Sequence, residues 1–411
     1  MLQATPHPLG EEFAGLDPAD PQYATAVVDR MLAAARAAAA SDIHLQPAEN
    51  GLQLKFRIDG VLQPVAVLPA KLAVNIIARL KVLAQLLTYR TDCPQEGRLR
   101  ADGEVEVRVC TFPTLHGERA VVRLFGGSQE YQRLDDLGLP DDVSRPLRQL
   151  VAETSGAILV SGPAGSGKTT TVYASLREIA RETAGARSLV SLEDPIEVAV
   201  PGVAQSQVNA AAGLDLAAGL RFLMRQDPEV IMVGEIRDRA TAEAALQASL
   251  TGHLLLSTFH AGSAAETIGR LLDMGIEPYV LRSGLLAILC QRLLRRLCTC
   301  AQPSDDLDAR LGLPVERVWV PRACDACGGT GYRGRFLLVE MLALGRSELS
   351  RAILARCETP LIERLAGEKG MIDRWQRACR AVSDGLTSPA EVRRVLGISA
   401  SFPRHSGSGL G

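Results

Sequence analysis

Aromatic residues are scarce in this chain: Phe, Trp and Tyr make up 4% of its 411 residues. No basic strand carries interleaved aromatics, so the stacking platform that single-stranded nucleic acid needs is missing. The net charge of −2 gives no global basic field for nucleic acid or anionic lipid. No uninterrupted apolar run reaches the roughly 18–20 residues that cross a bilayer. The opening MLQATPHPLGEEF lacks the basic start and apolar segment of a signal peptide. These absences lead us to expect a cytoplasmic chain that meets a membrane through partners. The nine cysteines are an odd number, and four of them fall in two close pairs. In the cytosol such pairs point to metal or to free thiols rather than to disulfides.

What is present is a globular composition, 47% hydrophobic and 22% charged, in a chain too long for one ordinary core. There is no internal repeat. Residues 1–22 are rich in Pro, Asp and Glu and are expected to be flexible. Residues 23–126 read as a small α+β domain. It opens with an Ala-rich helix over 24–40. Leu52, Leu54, Phe56 and Ile58 then alternate with polar residues, as in a half-buried strand. Asp59-Gly60 turns the chain into Val61-Leu62. A helix over 68–87 and strands over 104–110 and 119–125 complete this domain. Gly126-Gly127-Ser128 opens a linker, 127–140. From 141 to 398 the apolar runs AILV, SLVSL, EVIMV and HLLLSTF alternate with helical patterns. That alternation predicts an α/β domain whose parallel sheet carries helices on both faces. A Cys-rich part over 291–335 lies within it, and 399–411 is expected to be a flexible tail.

Residues 156–171 read GAILVSGPAGSGKTTT: a strand, then Gly162-x-x-x-x-Gly167-Lys168-Thr169, then a helix. This is the full phosphate-binding loop pattern in its required context. Gly162, Gly165 and Gly167 let the backbone of Pro163, Ala164 and Ser166 bend so that N–H groups point at phosphate oxygens. The helix N-terminus at Lys168, Thr169 and Thr170 adds a favourable dipole. Lys168 is expected to reach the β- and γ-phosphates of ATP and Thr169 to ligate Mg²⁺.

Ligands bind beyond the carboxyl ends of parallel strands, and three further segments end there. SLVSL leads into Glu193, EVIMV into Glu235, and HLLLSTF ends at His260. A carboxylate at such a place either holds Mg²⁺ or polarises the attacking water. The two acids can divide these duties either way. We expect Glu193 to activate water and Glu235 to serve the metal, and His260 to sense the γ-phosphate or relay between subunits. His253, after Thr251-Gly252, either shares that duty or closes a helix. Cys298-x-Cys300 and Cys324-x-x-Cys327 bracket a loop as two chelating pairs do around structural Zn²⁺; a vestigial loop with free thiols is the other reading.

An ordered series of segments resembles the secretion ATPases of type II secretion and type IV pilus assembly. The series is SDIHLQP (41–47), FRIDGVLQ (56–63), HGERAVVRL (116–124), the phosphate loop, SLEDPIE (191–197) and RQDPEVIMVGEIRD (225–238). It continues with QASLTGHLLLSTFHA (247–261), RLLDMGIEP (270–278), QRLLRRLC (291–298) and CDACGGTGYRGR (324–335). The resemblance implies a RecA-like ATPase domain preceded by a PAS-like α+β domain, with a tetracysteine zinc subdomain. It implies a cytoplasmic homohexamer, peripheral at the inner membrane. The implied partners are a platform protein and the cytoplasmic domain of a membrane-anchored secretion component. Among the arginines of the first domain, which read otherwise as solvated strand faces, it favours Arg98 and Arg108 as fingers on ATP. The cysteine pairs favour the assembly side over retraction motors. SDIHLQP begins at Ser41, so the extra N-terminal docking domain of long pilus-assembly members is expected to be absent or nearly so, which favours a short type II secretion ATPase or an atypical one. A pilus assembly ATPase is the alternative. A hexameric nucleic-acid translocase and a non-catalytic scaffold are the other classes; intact Lys168, Glu193 and Glu235 oppose the scaffold.

Overall fold

The computed structural model describes residues 10–99, 107–124, 131–345 and 348–398. The start of the strand expected at 104, the opening of the linker and the 399–411 tail lie outside the described residues. The chain forms two compact units, 1–127 with 322–334, and 128–321 with 335–411.

In the first unit, six strands form a sheet in the order β3-β2-β1-β6-β5-β4 among the described residues. They are β1 (Asp42–Ala48), β2 (Gly51–Ile58), β3 (Val61–Leu68), β4 (Gln95–Leu99), β5 (Val107–Thr114) and β6 (Gly117–Leu124). Neighbouring strands run antiparallel. The alternation of β2 works as its sequence suggests: Leu52, Leu54 and Phe56 are fully buried on one face, with Ile43, Leu45, Val107, Val109 and Val122 from adjoining strands. Helices Tyr23–Ala37 and Ala73–Leu83 cover that face through Val27, Met31, Ile76 and Leu80. Phe13 joins the same core. The helix expected over 68–87 is shorter at both ends. β3 continues to Leu68, and a single 3-10 turn precedes Ala73. At the far end Gln85 takes φ +58°, and Leu86 N–H bonds back to Lys81 O at 2.8 Å, which closes the helix in a Schellman-type turn.

The second unit holds a seven-stranded sheet in the order β15-β12-β7-β11-β10-β8-β9. Its members are β7 (Gly156–Ser161), β8 (Leu189–Glu193), β9 (Ala204–Gln207), β10 (Val230–Val233), β11 (Leu254–Phe259), β12 (Leu285–Leu297) and β15 (Tyr332–Ala343). Short strands β13 (Gln302–Ser304) and β14 (Val318–Val320) pair separately. From β12 to β9 every neighbour is parallel. The sheet is nevertheless mixed. Leu344 N–H bonds to Leu286 O, so the end of β15 lies beside the start of β12 and the two run antiparallel. No crossover helix separates them in sequence, which leaves the return strand free to reverse direction. Successive residues of β7, β8, β10 and β11 enter opposite cores. Ala157, Leu159, Ile231 and Leu255 meet helices Arg239–Leu250 and Ala264–Asp273. Ile158, Val160, Met232 and Leu256 meet helices Asp141–Val151 and Lys168–Thr183. Burial on both faces explains why these strands read as continuous apolar runs.

Helix Pro389–Leu396 is fastened to β12 by one carboxylate. Glu391 is fully buried, and it accepts from Arg295 Nη2 at 2.7 Å and from Arg394 Nη2 at 2.5 Å. Burial pushes its carboxyl up, but the Arg394 and Arg295 guanidiniums outweigh that and hold it below its ordinary value of 4.5. A depressed acid contributes stability that is complete above the unfolded pKa and is lost as pH falls through the folded one. Acid unfolding should therefore draw on Glu391 only below about pH 4.5. Glu391→Ala leaves Arg295 without its buried partner and is expected to cost about 3–5 kcal/mol at neutral pH. Urea unfolding of the variant at pH 7 and at pH 4 checks both statements.

Candidate nucleotide site and cysteine centre

The parallel register decides which side chains meet. Phe259 pairs with Ser161, Val233 with Ser257, and Val233 with Leu192. The residues that follow β7, β8, β10 and β11 therefore emerge at one edge of the sheet. The loop after β7 runs from Gly162 to the helix that begins at Lys168. Gly162, Gly165 and Gly167 all take positive φ, at +146°, +72° and +89°. At Gly162 a side chain is excluded as well: a Cβ would lie 2.5 Å from both Gln291 O and Ser166 Oγ. Lys168 curls back into the loop, and its ammonium donates to Gly162 O at 3.0 Å and Pro163 O at 2.9 Å. Pro163, Ala164, Gly165 and Thr170 are exposed, and Thr169 is half-buried at the helix start. Loop N–H groups, a helix N-terminus and a lysine together form an anion cradle.

Burial lowers the pKa of Lys168; Glu235 opposes this, and Arg292 adds to it. Glu235 is the carboxylate nearest in effect to the ammonium. Its Oε1 lies 2.9 Å from His260 Nε2, and its Oε2 accepts from Arg237 Nε at 2.8 Å. Burial and then Lys168 push the His260 pKa down, so the ring is neutral at pH 7 and donates Nε2–H to the carboxylate. Arg237 also lies 3.9 Å from Asp194, across the two acidic segments. Lys168, Glu235 and His260 are thus brought together.

Glu193 is held differently. Only 2% of the residue is exposed. Its Oε1 accepts from Ser191 Oγ at 2.5 Å and from Gln205 Nε2 at 2.9 Å, and its Oε2 accepts from the Tyr173 hydroxyl. His253 closes helix Arg239–Leu250: its N–H and its ring Nδ1 both approach Ala248 O. Arg98 and Arg108 face each other across the β4–β5 pair in the first unit, and Arg108 Nε lies 3.3 Å from Glu96.

Three residues at this edge escaped the sequence reading. Arg292 holds Gly262 O at 2.8 Å through Nη2 and Gln291 O at 2.8 Å through Nη1. Gln291 is fully buried and donates to Thr171 Oγ1 on the phosphate-loop helix at 2.9 Å. Tyr173 is the third. Gln291 and Arg292 lie on β12, within the QRLLRRLC segment, and Tyr173 lies on the helix that the loop opens.

The second centre is the cysteine cluster. The sulfurs of Cys298, Cys300, Cys324 and Cys327 all lie within 4.8 Å of one another. Four thiolates about 2.3 Å from one ion would stand about 3.8 Å apart. Cys324 and Cys327 are already 3.6 Å apart. Gly331 N–H points at Cys327 Sγ at 3.2 Å, a donor suited to a thiolate. The donor set and its spacing fit a structural zinc site.

A family model described as type II/IV secretion system protein matches residues 18–394. The chain belongs to this family. A type II secretion system protein E from Klebsiella pneumoniae is 42% identical over 92% of this chain and 77% of its own length. The type II secretion system protein HxcR of Pseudomonas aeruginosa is 40% identical, over 92% of this chain and 79% of its own. A type IV pilus assembly ATPase, PilB of Thermus thermophilus, is 38% identical over 86% of this chain and 41% of its own. Among solved structures, the ATPase DotB of Legionella pneumophila superposes with a TM-score of 0.66 at 22% identity, covering 92% of this chain and 97% of its own. At that identity the likeness is one of fold. The chain is a P-loop NTPase of the secretion ATPase superfamily.

The closed geometry at Gly162 gives a direct test of the loop. Gly162→Ala must displace the Gln291 backbone or Ser166 and keep a strained φ, so it is expected to destabilise by about 1–3 kcal/mol. It should also weaken nucleotide binding. Thermal unfolding with and without ATP measures both effects, and an unshifted melt would contradict the geometry.

Proposed function

We propose that this chain is the ATP-hydrolysing subunit of a homohexameric type II secretion motor, one that energises pseudopilus assembly through an inner-membrane platform protein. The observation that carries the reading is the Lys168 loop beside the Glu235–His260 pair, at the ends of adjacent parallel strands. Lys168 and the backbone of 162–170 would bind the triphosphate. Thr169 and Glu235 would hold Mg²⁺, which screens charge on the phosphoryl oxygens. Glu193 would orient or activate the attacking water, and His260, neutral and bonded to Glu235, would report on the γ-phosphate. Arg98 and Arg108 would act as fingers. The motor would be cytoplasmic and peripheral at the inner membrane, recruited by the platform and by the cytoplasmic domain of a membrane-anchored component. The names borne by several 40–42% identical relatives support the type II assignment. Pilus assembly is the second reading, because relatives of that name are 38% identical.

Lys168→Ala should lose ATP binding. Glu193→Gln and Glu235→Gln should keep it and lose turnover by about 10²-fold or more. Complementation separates the two systems: the chain should restore secretion to a host lacking its type II ATPase, and Lys168→Ala should not. Restoration of pili alone would select the second reading.

We further propose that the four cysteines hold one structural Zn²⁺. Protein purified without chelator is expected to carry about one zinc per chain by elemental analysis. Cys324→Ser should lose the metal and melt at lower temperature. Less than about half an equivalent in the parent protein would overturn the assignment.

A further inference from the structure

Glu193 differs from Glu235 in what holds it: its three hydrogen bonds come from neutral donors on three different elements, where Glu235 is engaged by Arg237 and His260. Ser191 lies two residues earlier on the same strand. Tyr173 lies on the phosphate-loop helix, and Gln205 on β9, which pairs parallel to β8 with Ser191 opposite Gln205. Tyr173 and Gln205 do more than touch the carboxylate. The Tyr173 hydroxyl also accepts Glu197 N–H at 3.3 Å. Gln205 donates to Val198 O at 3.1 Å and accepts Val200 N–H at 2.6 Å. The loop after Glu193 is therefore tied to the same two side chains that hold its carboxylate. Tyr173 is 3% exposed, and its phenol is pushed well above the ordinary range by burial and by Glu193, so it is a donor at neutral pH.

The spacing along the helix gives this network a direction. Thr169 and Tyr173 are four residues apart and share one face, about 6 Å apart along the axis. The residue placed to meet Mg²⁺ and the residue that grips Glu193 are thus one turn apart on a single rigid element. A shift of this helix with the phosphate loop would be registered at Glu193.

We infer that Tyr173 and Gln205 are positioning residues for hydrolysis: they fix the Glu193 carboxylate against the phosphate-loop helix, so that it faces bound nucleotide in one orientation. This rests on the reading that Glu193 serves the nucleotide, whether through water or through metal. Neither residue touches the phosphate in this proposal. Their contribution is to restrict a flexible side chain to the reactive geometry, which acts on turnover and not on ground-state binding.

The test uses the full chain with Mg²⁺ and ATP. Tyr173→Phe removes one oxygen and keeps the ring. Gln205→Leu, on an edge strand, is a second variant that serves even if the first folds poorly. Both are expected to lower kcat by about tenfold or more while the Kd for an ATP analogue stays within about twofold. Glu193→Gln is run in parallel. If it hydrolyses ATP near the parent rate, the reading of Glu193 fails and the positioning role falls with it. If it is inactive while Tyr173→Phe and Gln205→Leu turn over normally, the positioning role alone is overturned. A fall in kcat accompanied by equal losses of affinity and melting temperature means a merely structural role and also overturns it.

Discussion

The lateral pairing of β7 with β11, and of β11 with β10, is the constraint on which the rest of the site depends. These strands are buried on both faces, so their only freedom is to slide along one another. The register Phe259↔Ser161 and Val233↔Ser257 removes it. A shift of one residue would turn every side chain to the opposite core. With that register fixed, Gly162 N–H bonds to Phe259 O and Ile236 N–H to Thr258 O. The loop, the Glu235 segment and His260 then have little choice about where they stand.

Charge is distributed unevenly within this edge. Lys168 is buried and held by carbonyls of its own loop; on the proposed reading, an arriving phosphate would replace these neutral acceptors with a formal anion. Burial, and Arg292 beside it, depress the lysine, and Glu235 partly compensates. With Lys168, Arg292 and Arg237 around one carboxylate that also bonds His260, the proposed site would gain from a polyanion with a divalent ion. Glu193 sits in a different environment, enclosed by neutral donors. The sequence treats the two glutamates as equivalent acids at strand ends, and the packing around them makes them unequal.

Much of this was legible early because it is local. Glycine at 162, 165 and 167 encodes the positive φ values that a phosphate cradle needs. Alternation at Leu52, Leu54 and Phe56 encodes a strand with one buried face. Four apolar runs encode the central strands of the second unit. What was missed is non-local. The Cys-rich part expected over 291–335 gives no sign of β15, and its antiparallel place beside β12 follows from a long return that carries no helical signal. The N-terminal strand β1 depends on pairing with β2 on one side and β6 on the other, the latter about 80 residues away. The tail, and the linker's opening, fall outside the described residues.

The sequence by itself determined the chemistry available: a lysine on a glycine-hinged loop, acids and a histidine at strand ends, and two cysteine pairs. Spacing along the chain is enough for these because each rests on backbone conformation within a few residues. Only the tertiary structure decided which groups face one another. It set Glu235 against His260 and Arg237, gave Glu193 to Tyr173 and Gln205, and brought Cys298 and Cys300 within 4.8 Å of Cys324 and Cys327. Those neighbours are fixed by burial and strand register, which sum over many distant residues and leave no mark in any short segment.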